Sequence, residues 1–372
     1  MKKINDKKVA IVHDFLTQYG GAEKVLESFC EIFPEAPIYT LLYDKKKMRG
    51  KFEDREICTS FLQKFPKFLR KRKRYLVPFM TTAPEVFDLR DFDLVVSSSG
   101  AWSKGIVTRL NTVHISYMHS PMRFAWDYNE EYFRDIKKKA GIFKRMFLSY
   151  LRVWDFQAAQ RPDILIANSK YTKKRIEKYY RRRSEVVYPP AVSLKHKNIE
   201  TLKQGSDRGY FLVVSRLAAY KKIDVVVKAF NKIGLPLVVI GEGEQSSYLK
   251  KIAAKNVKIL GWKNDKDLEK YYQGSRAFIF PTVDDFGITM IESMSHGKPV
   301  LAIRKGGAIE IVKEGISGEF FDAQTPEVIS DCVRRFMEKE GQYDSEIIKE
   351  SSKKFTKKKF KERIMEIVER SV

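Results

Sequence analysis

The sequence is poor in cysteine. Cys30, Cys58 and Cys332 are the only three in 372 residues, far apart and each in an apolar setting. That odd, scattered set excludes a disulfide framework and a thiolate zinc site, and predicts buried free thiols. Long apolar runs are missing as well. No stretch approaches the roughly 20 apolar residues that cross a bilayer as a helix. The opening "MKKINDKKVAIVHDFL" has only the short run VAIV before His13, too little for a secretory core. A cytoplasmic location is therefore expected. Histidine is scarce, and His13 and His114, in or beside strand-like runs, lack the neighbours that would complete a metal site. Acidic residues are in deficit: 47 Asp and Glu face 71 Lys and Arg, a formal charge of +24. Residues 1–190 hold 38 basic and 22 acidic side chains, a net +16 that leaves +8 for the rest. Such a field attracts nucleic acid, anionic lipid or phosphorylated substrates without choosing among them.

What is present suffices for globular cores. Hydrophobic residues make up 43% of the chain, with 25 Phe and 18 Tyr, and the length favours two domains. Two series of strand-like runs alternate with helical patterns. The first is "KVAIVHD", "PIYTLLY", "FDLVVSSSG", "VHISYMHS", "DILIANS" and "SEVVYPP"; the second is "YFLVVSR", "LPLVVIGEG", "VKILGW", "AFIFPT", "KPVLAIR" and "GEFFD". Val and Ile dominate many of them without polar alternation, as in parallel strands covered by helices on both faces. The expectation is an α/β protein of two doubly wound domains. The first spans 1–195 and the second 208–351, with a polar linker to about Arg208. A terminal helix over 352–372, with Phe355, Phe360, Ile364 and Ile367 at helical spacing, joins the first.

Several strands end in Ser, Asn, His or Gly, residues suited to the ligand-bearing carboxyl edge of such sheets. Gly20 and Gly21 lie at the turn of "TQYGGAEKVLESF", where a phosphate could approach the backbone and meet a helix N-terminus. A tight strand-to-helix turn alone explains that pair equally well. In "SRLAAYKKID", Arg216 leaves a strand end and Lys222 follows six residues later, two cations able to clamp a diphosphate. In "PTVDDFGITMIESMSHGKPV", Asp284 and Asp285 end a strand, Gly287 opens a helix, and Glu292 lies along it. Carboxylates accept hydrogen bonds from sugar hydroxyls, while amides at a new helix start favour a phosphate.

"SRLAAYKKID", "GEGEQ", "ILGW" and "PTVDDFGITMIESMSHGKPVLAIRKGGAIEIVKEGISGEFFD" together resemble the successive motifs of the retaining family 4 glycosyltransferases. "VAIVHDFLTQYGGAEKVLESFCEIFPEAPIYTLLYD" and "YMHSPMRFAWDY" resemble the amino domain of a bacterial subgroup, the mannosyltransferases of O-antigen and related polysaccharides. The resemblance implies the GT-B fold, two Rossmann-like domains facing each other across a cleft. It also implies a donor site for a nucleotide sugar, with GDP-mannose expected and a UDP-sugar as the alternative. The family's Glu-x7-Glu becomes Asp284 and Glu292, one methylene shorter at the first acid. By carry-over, Asp284 with the backbone of Phe286, Gly287, Ile288 and Thr289 meets the sugar and phosphate, and Glu292 meets the ribose. Asp285 shares the first task if the loop shifts. His119 falls beside the donor sugar, Arg216 and Lys222 on the diphosphate, Lys263 at the nucleobase, and Arg123 at the acceptor or phosphate. Trp262 is read as packing and His296 as a helix-end residue. The implied reaction is a same-face displacement with no metal and no cofactor, the nucleotide sugar being a substrate. Asp91 and Asp93 imitate a metal-binding Asp-x-Asp, but at the wrong edge of a strand.

Three basic clusters mark the amino half: Phe61–Met80 with Lys67, Arg70, Lys71, Arg72, Lys73 and Arg74, then "RDIKKKAGIFKRMF", then "KKRIEKYYRRR". Apolar groups among cations suit an anionic membrane surface, and so a lipid-linked glycan acceptor at the inner face of the cell membrane. Solvated helix faces of a basic protein explain any one cluster alone. The rival of another class is a nucleic-acid binder whose cations track phosphates. It has no need of Gly287 or Glu292, and nucleic acid is accordingly not an expected partner.

Overall fold

The computed structural model describes residues 6–127, 141–191 and 209–372. The expected linker after Ala191 and residues 134–140 of the second basic cluster lie outside them. The chain divides into two units, Met1–Pro190 with Lys358–Val372, and Ala191–Lys357.

The first unit is built on a parallel seven-stranded sheet: β1 (Val9–Leu16), β2 (Ile38–Tyr43), β3 (Ile57–Thr59), β4 (Leu94–Ser99), β5 (Val113–Met118), β6 (Ile164–Ala167) and β7 (Glu185–Val186). Their order is 3-2-1-4-5-6-7. Successive residues of a strand feed opposite layers. Thus Ile11 and Val96 pack with Val25, Phe29 and Ile115 on one face, whereas Val12 and Val95 pack with Leu41, Trp102 and Leu151 on the other. The unpatterned Val and Ile runs arise from this two-sided burial. The helix Lys357–Glu369 returns to the first unit and buries Phe360, Ile364, Ile367 and Val368 there. Phe360 meets Phe29 and Tyr117 edge to face at 5.4 and 5.7 Å.

The second unit carries β8 (Tyr210–Val214), β9 (Leu237–Ile240), β10 (Val257–Leu260), β11 (Ser275–Phe280), β12 (Val300–Ile303) and β13 (Gly318–Phe321). All are parallel, in the order 10-9-8-11-12-13. Both sheets thus reverse strand order beside a first strand, β1 next to β4 and β8 next to β11, and that crevice is where doubly wound sheets bind ligands. The two Rossmann-like domains of the sequence reading are present.

Three details differ from expectation. The short edge strand β3 had no apolar run to mark it. The chain leaves the second unit at Lys357 rather than near 352, because Phe355 packs edge to face on Phe286 at 5.5 Å and the Phe355 carbonyl accepts the Ala191 amide. Cys58 is only half-buried, with its thiol near Glu56, while Cys30 and Cys332 are buried and burial pushes both thiols up to about 12. Among the described residues no helix is long and apolar enough to cross a membrane.

Candidate functional site

In the second unit, loops leaving β8, β9, β11 and β12 interlock at the carboxyl edge. The Lys221 ammonium lies 2.5 Å from Asp284 Oδ2, bridging the loops after β8 and β11 across the strand-order reversal. Thr282 Oγ1 donates to the Lys221 carbonyl at 2.9 Å and holds the same two loops together. Lys222 takes the left-handed conformation, φ 55°, immediately before the helix Ile223–Ile233. A non-glycine residue there costs on the order of 1 kcal/mol. Arg216 donates to the Tyr220 hydroxyl, which fixes the guanidinium over the same loop. From the β12 side, the Gly307 amide donates to the Asp284 carbonyl at 2.9 Å. A Cβ on Gly307 would come within 2.5 Å of the Asp285 carbonyl oxygen, so only glycine admits this approach.

Asp284 is half-buried at the rim, whereas Asp285 and the Phe286 side chain are buried. Phe286 therefore offers a ligand only its backbone. Gly287 has φ 109° and starts the helix Ile288–Ser295, and a Cβ there would lie 2.9 Å from Phe280. One turn on, buried Glu292 accepts the Tyr272 hydroxyl at 2.9 Å. Burial, then the Glu292 carboxylate, push that phenol far above its ordinary range, so it stays a donor. His296 caps this helix, buried and stacked on Tyr272 at 5.6 Å. Lys263 is half-buried just after β10, but Trp262 is 42% exposed. The strand ends at Leu260, so Trp262, read as packing, sits on the loop beyond it.

In the first unit the reversal lies beside His13 and Asp14. Asp14 accepts four backbone amides, from Gly100, Ala101, Trp102 and Ser103, at 2.7 to 3.1 Å. This fixes the loop after β4. Gly20 begins the helix Gly21–Ile32, and its amide donates to Glu23 Oε2 at 2.8 Å. The phosphate role read for Gly20 is corrected to that extent, since its N–H serves the helix cap, while Gly21 is exposed at the first turn. His119 is half-buried after β5 and its Nε2 meets Ser98 Oγ at 2.8 Å. Arg123 Nε lies 3.3 Å from Ser120 Oγ, which Arg175 also reaches at 2.9 Å.

The family description "Glycosyltransferase Family 4" matches residues 19–192, and "Glycosyl transferases group 1" matches residues 195–359. The chain belongs with the family 4-like glycosyltransferases of GT-B fold. An uncharacterized glycosyltransferase of Methanocaldococcus jannaschii is 23% identical over 362 residues, covering 94% of this chain and 93% of that one. The α-1,3/1,6-mannosyltransferase ALG2 of Saccharomyces cerevisiae is 24% identical over 237 residues, covering 50% of this chain and 47% of that one. In fold, the chain is similar to Anabaena HepE, solved in complex with UDP-glucose, at a TM-score of 0.72 and 18% identity, with 98% and 99% of the two chains covered.

In this glycosyltransferase the sequence reading missed Lys221, Tyr272, Gly306 and Gly307. Lys221 and Lys222 are adjacent lysines, and nothing in the sequence marks Lys221 as the partner of Asp284. The signal for the glycine pair was available in "RKGGAIE", a Gly-Gly step just after a buried strand. The basic clusters sort by contact. Lys67, Lys71, Arg72 and Arg74 are exposed and Arg70 half-buried. Lys73 is corrected out of that set, for its ammonium sits 4.2 Å from the Phe15 ring centroid and 2.5 Å from Thr17 Oγ1. In the third cluster, Arg175 pairs with Asp127 and Arg182 donates to four carbonyls, so both serve the fold. Exposed Phe68, Tyr75 and Phe79 flank the first cluster, and the helix Gly141–Ala158 exposes Ile142, Phe143, Met146, Tyr150 and Val153. The two segments share a core through Leu62, Leu76, Met80 and Leu151, and Tyr150 lies 3.4 Å from Thr81.

Proposed function

We propose that this glycosyltransferase moves mannose from GDP-mannose, with retention and without a metal, onto a lipid-linked glycan at the inner face of the cell membrane during cell-surface polysaccharide synthesis. The observation that carries the reading is the Lys221–Asp284 bridge across the reversal of the second sheet, with Arg216, Lys222, Gly287 and Glu292 on the surrounding loops and the helix they open. Arg216, Lys222 and the amides of Ile288 and Thr289 hold the leaving diphosphate, an electrostatic preorganisation of the kind that lowers barriers. Asp284 accepts sugar hydroxyls and Glu292 the ribose hydroxyls, with Tyr272 orienting the latter carboxylate. His119 stands beside the donor sugar. A leaving phosphate oxygen takes the proton of the incoming hydroxyl, so the new bond forms on the face that the phosphate leaves. Similarity to ALG2 supports mannose, and the exposed aromatic and basic face of the first unit supports an anionic membrane as the place of the acceptor.

The UDP-sugar reading remains the alternative, favoured by the fold shared with HepE. Thermal unfolding with GDP, UDP and ADP, then with their sugars, decides between them, because a ligand bound only to the native state raises the midpoint. GDP and GDP-mannose are expected to stabilise the protein and Lys222→Gly to abolish the shift. Stabilisation by UDP alone overturns the donor assignment.

A further inference from the structure

His119 is the end of a chain of polar contacts that begins in the buried interior of the first unit. Glu23, His13 and Ser98 are buried, whereas His119 is half-buried. Glu23 Oε2 accepts the Gly20 amide, and its Oε1 lies 3.5 Å from His13 Nε2. His13 Nδ1 lies 3.1 Å from Ser98 Oγ, and the same hydroxyl lies 2.8 Å from His119 Nε2. The contacts join four elements, the helix Gly21–Ile32, β1, β4 and the end of β5, directly at the strand-order reversal.

A hydroxyl has one proton to donate, a carboxylate has none, and a neutral imidazole donates from one nitrogen and accepts at the other. Along this chain of contacts these rules fix the direction of each bond. The carboxylate of Glu23 favours the proton on the facing nitrogen, His13 Nε2, which leaves Nδ1 as an acceptor. Ser98 therefore donates to His13, and its oxygen accepts from His119 Nε2–H. His119 then carries its lone pair on Nδ1.

We infer that Glu23, His13 and Ser98 are positioning residues that set the tautomer of His119, making its Nδ1 the hydrogen-bond acceptor for a hydroxyl of the sugar. The role of that hydroxyl rests on the transferase reading above; the polarity of the relay does not. The relay also explains two features that the fold alone leaves without purpose: a histidine in the middle of β1, and a serine on β4 shared by two imidazoles.

The decisive variant is Glu23→Gln. The Gly20 amide still needs an acceptor, so the glutamine carbonyl faces it and the amide NH2 faces His13. His13 must then accept at Nε2 and donate from Nδ1. Ser98 in turn donates to His119 Nε2, and the His119 proton moves to Nδ1. Nitrogen-15 spectra of histidine-labelled protein at about pH 8.5, well above the ordinary histidine value, read both tautomers without any donor or acceptor present. The expected result is Nε2–H at His13 and His119 in the parent, inversion at both in Glu23→Gln, and no inversion at His119 when Ser98→Ala is added. Nδ1–H at either histidine in the parent, an unchanged His119 in Glu23→Gln, or inversion that survives loss of Ser98 each overturns the relay. If Glu23→Gln does not fold, Nδ1–H at either histidine in the parent still overturns the relay. Failure here leaves the nucleotide shifts untouched, and a protein that binds no nucleotide can still show the relay.

Discussion

His114 shows how a buried side chain sets a pH limit on this fold. It is fully enclosed between β4 and β6, with Nε2 2.8 Å from Ser97 Oγ and its backbone amide on Asp163. Burial, and then Arg161 and Arg182, drive its pKa down from 6.5 to about 3, so the folded protein holds it neutral. The sign follows from proton counting. Between these two values the unfolded chain binds a proton that the folded one refuses, so its contribution is complete above about pH 6.5 and is lost as pH falls toward 3. The slope from this group is about 1.4 kcal/mol per pH unit at most. Urea midpoints measured from pH 7 to 4 should fall for the parent and fall less steeply for His114→Asn, which keeps a partner for Ser97 without titrating. Equal slopes in the two proteins would show that His114 is not the group responsible.

The loop between β11 and the helix Ile288–Ser295 owes its shape to another loop. Gly307 lies against the Asp285 carbonyl, and Gly306, in a left-handed conformation, lies against Asp284. Gly307→Ala should cost about 1–3 kcal/mol through overpacking and displace the Asp284 carboxylate, so nucleotide-sugar affinity should fall with the melting temperature. Loss of stability at full affinity would mean that the sugar-binding role of Asp284 is mistaken. This dependence between loops also marks what the sequence could reveal. Strands buried on both faces appear as unbroken Val and Ile runs, so all but β3 fell on recognisable segments, and motif spacing located Asp284, Gly287 and Glu292. Backbone handedness and partner choice left no comparable trace. Lys221 pairs with Asp284 from a turn whose next residue is left-handed, and Lys73 turns inward because the Phe15 ring and Thr17 are there to receive it.

The terminal helix is a structural part of the first unit although it follows the second in the chain. Phe360, Ile364, Ile367 and Val368 are buried against Val25, Phe29 and Tyr117, and burying four such side chains contributes about 6–12 kcal/mol as an upper value. A whole domain is stable by only about 5–15 kcal/mol. Surface ion pairs such as Lys361 with Glu31 add little to that sum. A chain ending at Lys357 should therefore lose the first unit while the second, whose core draws on Phe211, Phe230, Ile279 and Phe336, retains its own. Hydrogen exchange followed by peptide mass analysis tests this directly: rapid exchange through β1, β4 and β5 with protection kept in β8, β11 and β12. GDP binding should survive in such a chain and sugar transfer should not, because His119 and its supporting relay lie wholly in the unit that is lost. Retained protection in β1 and β4 would show that the first sheet holds together without the helix, and that Phe29 and Tyr117 close over the gap by themselves.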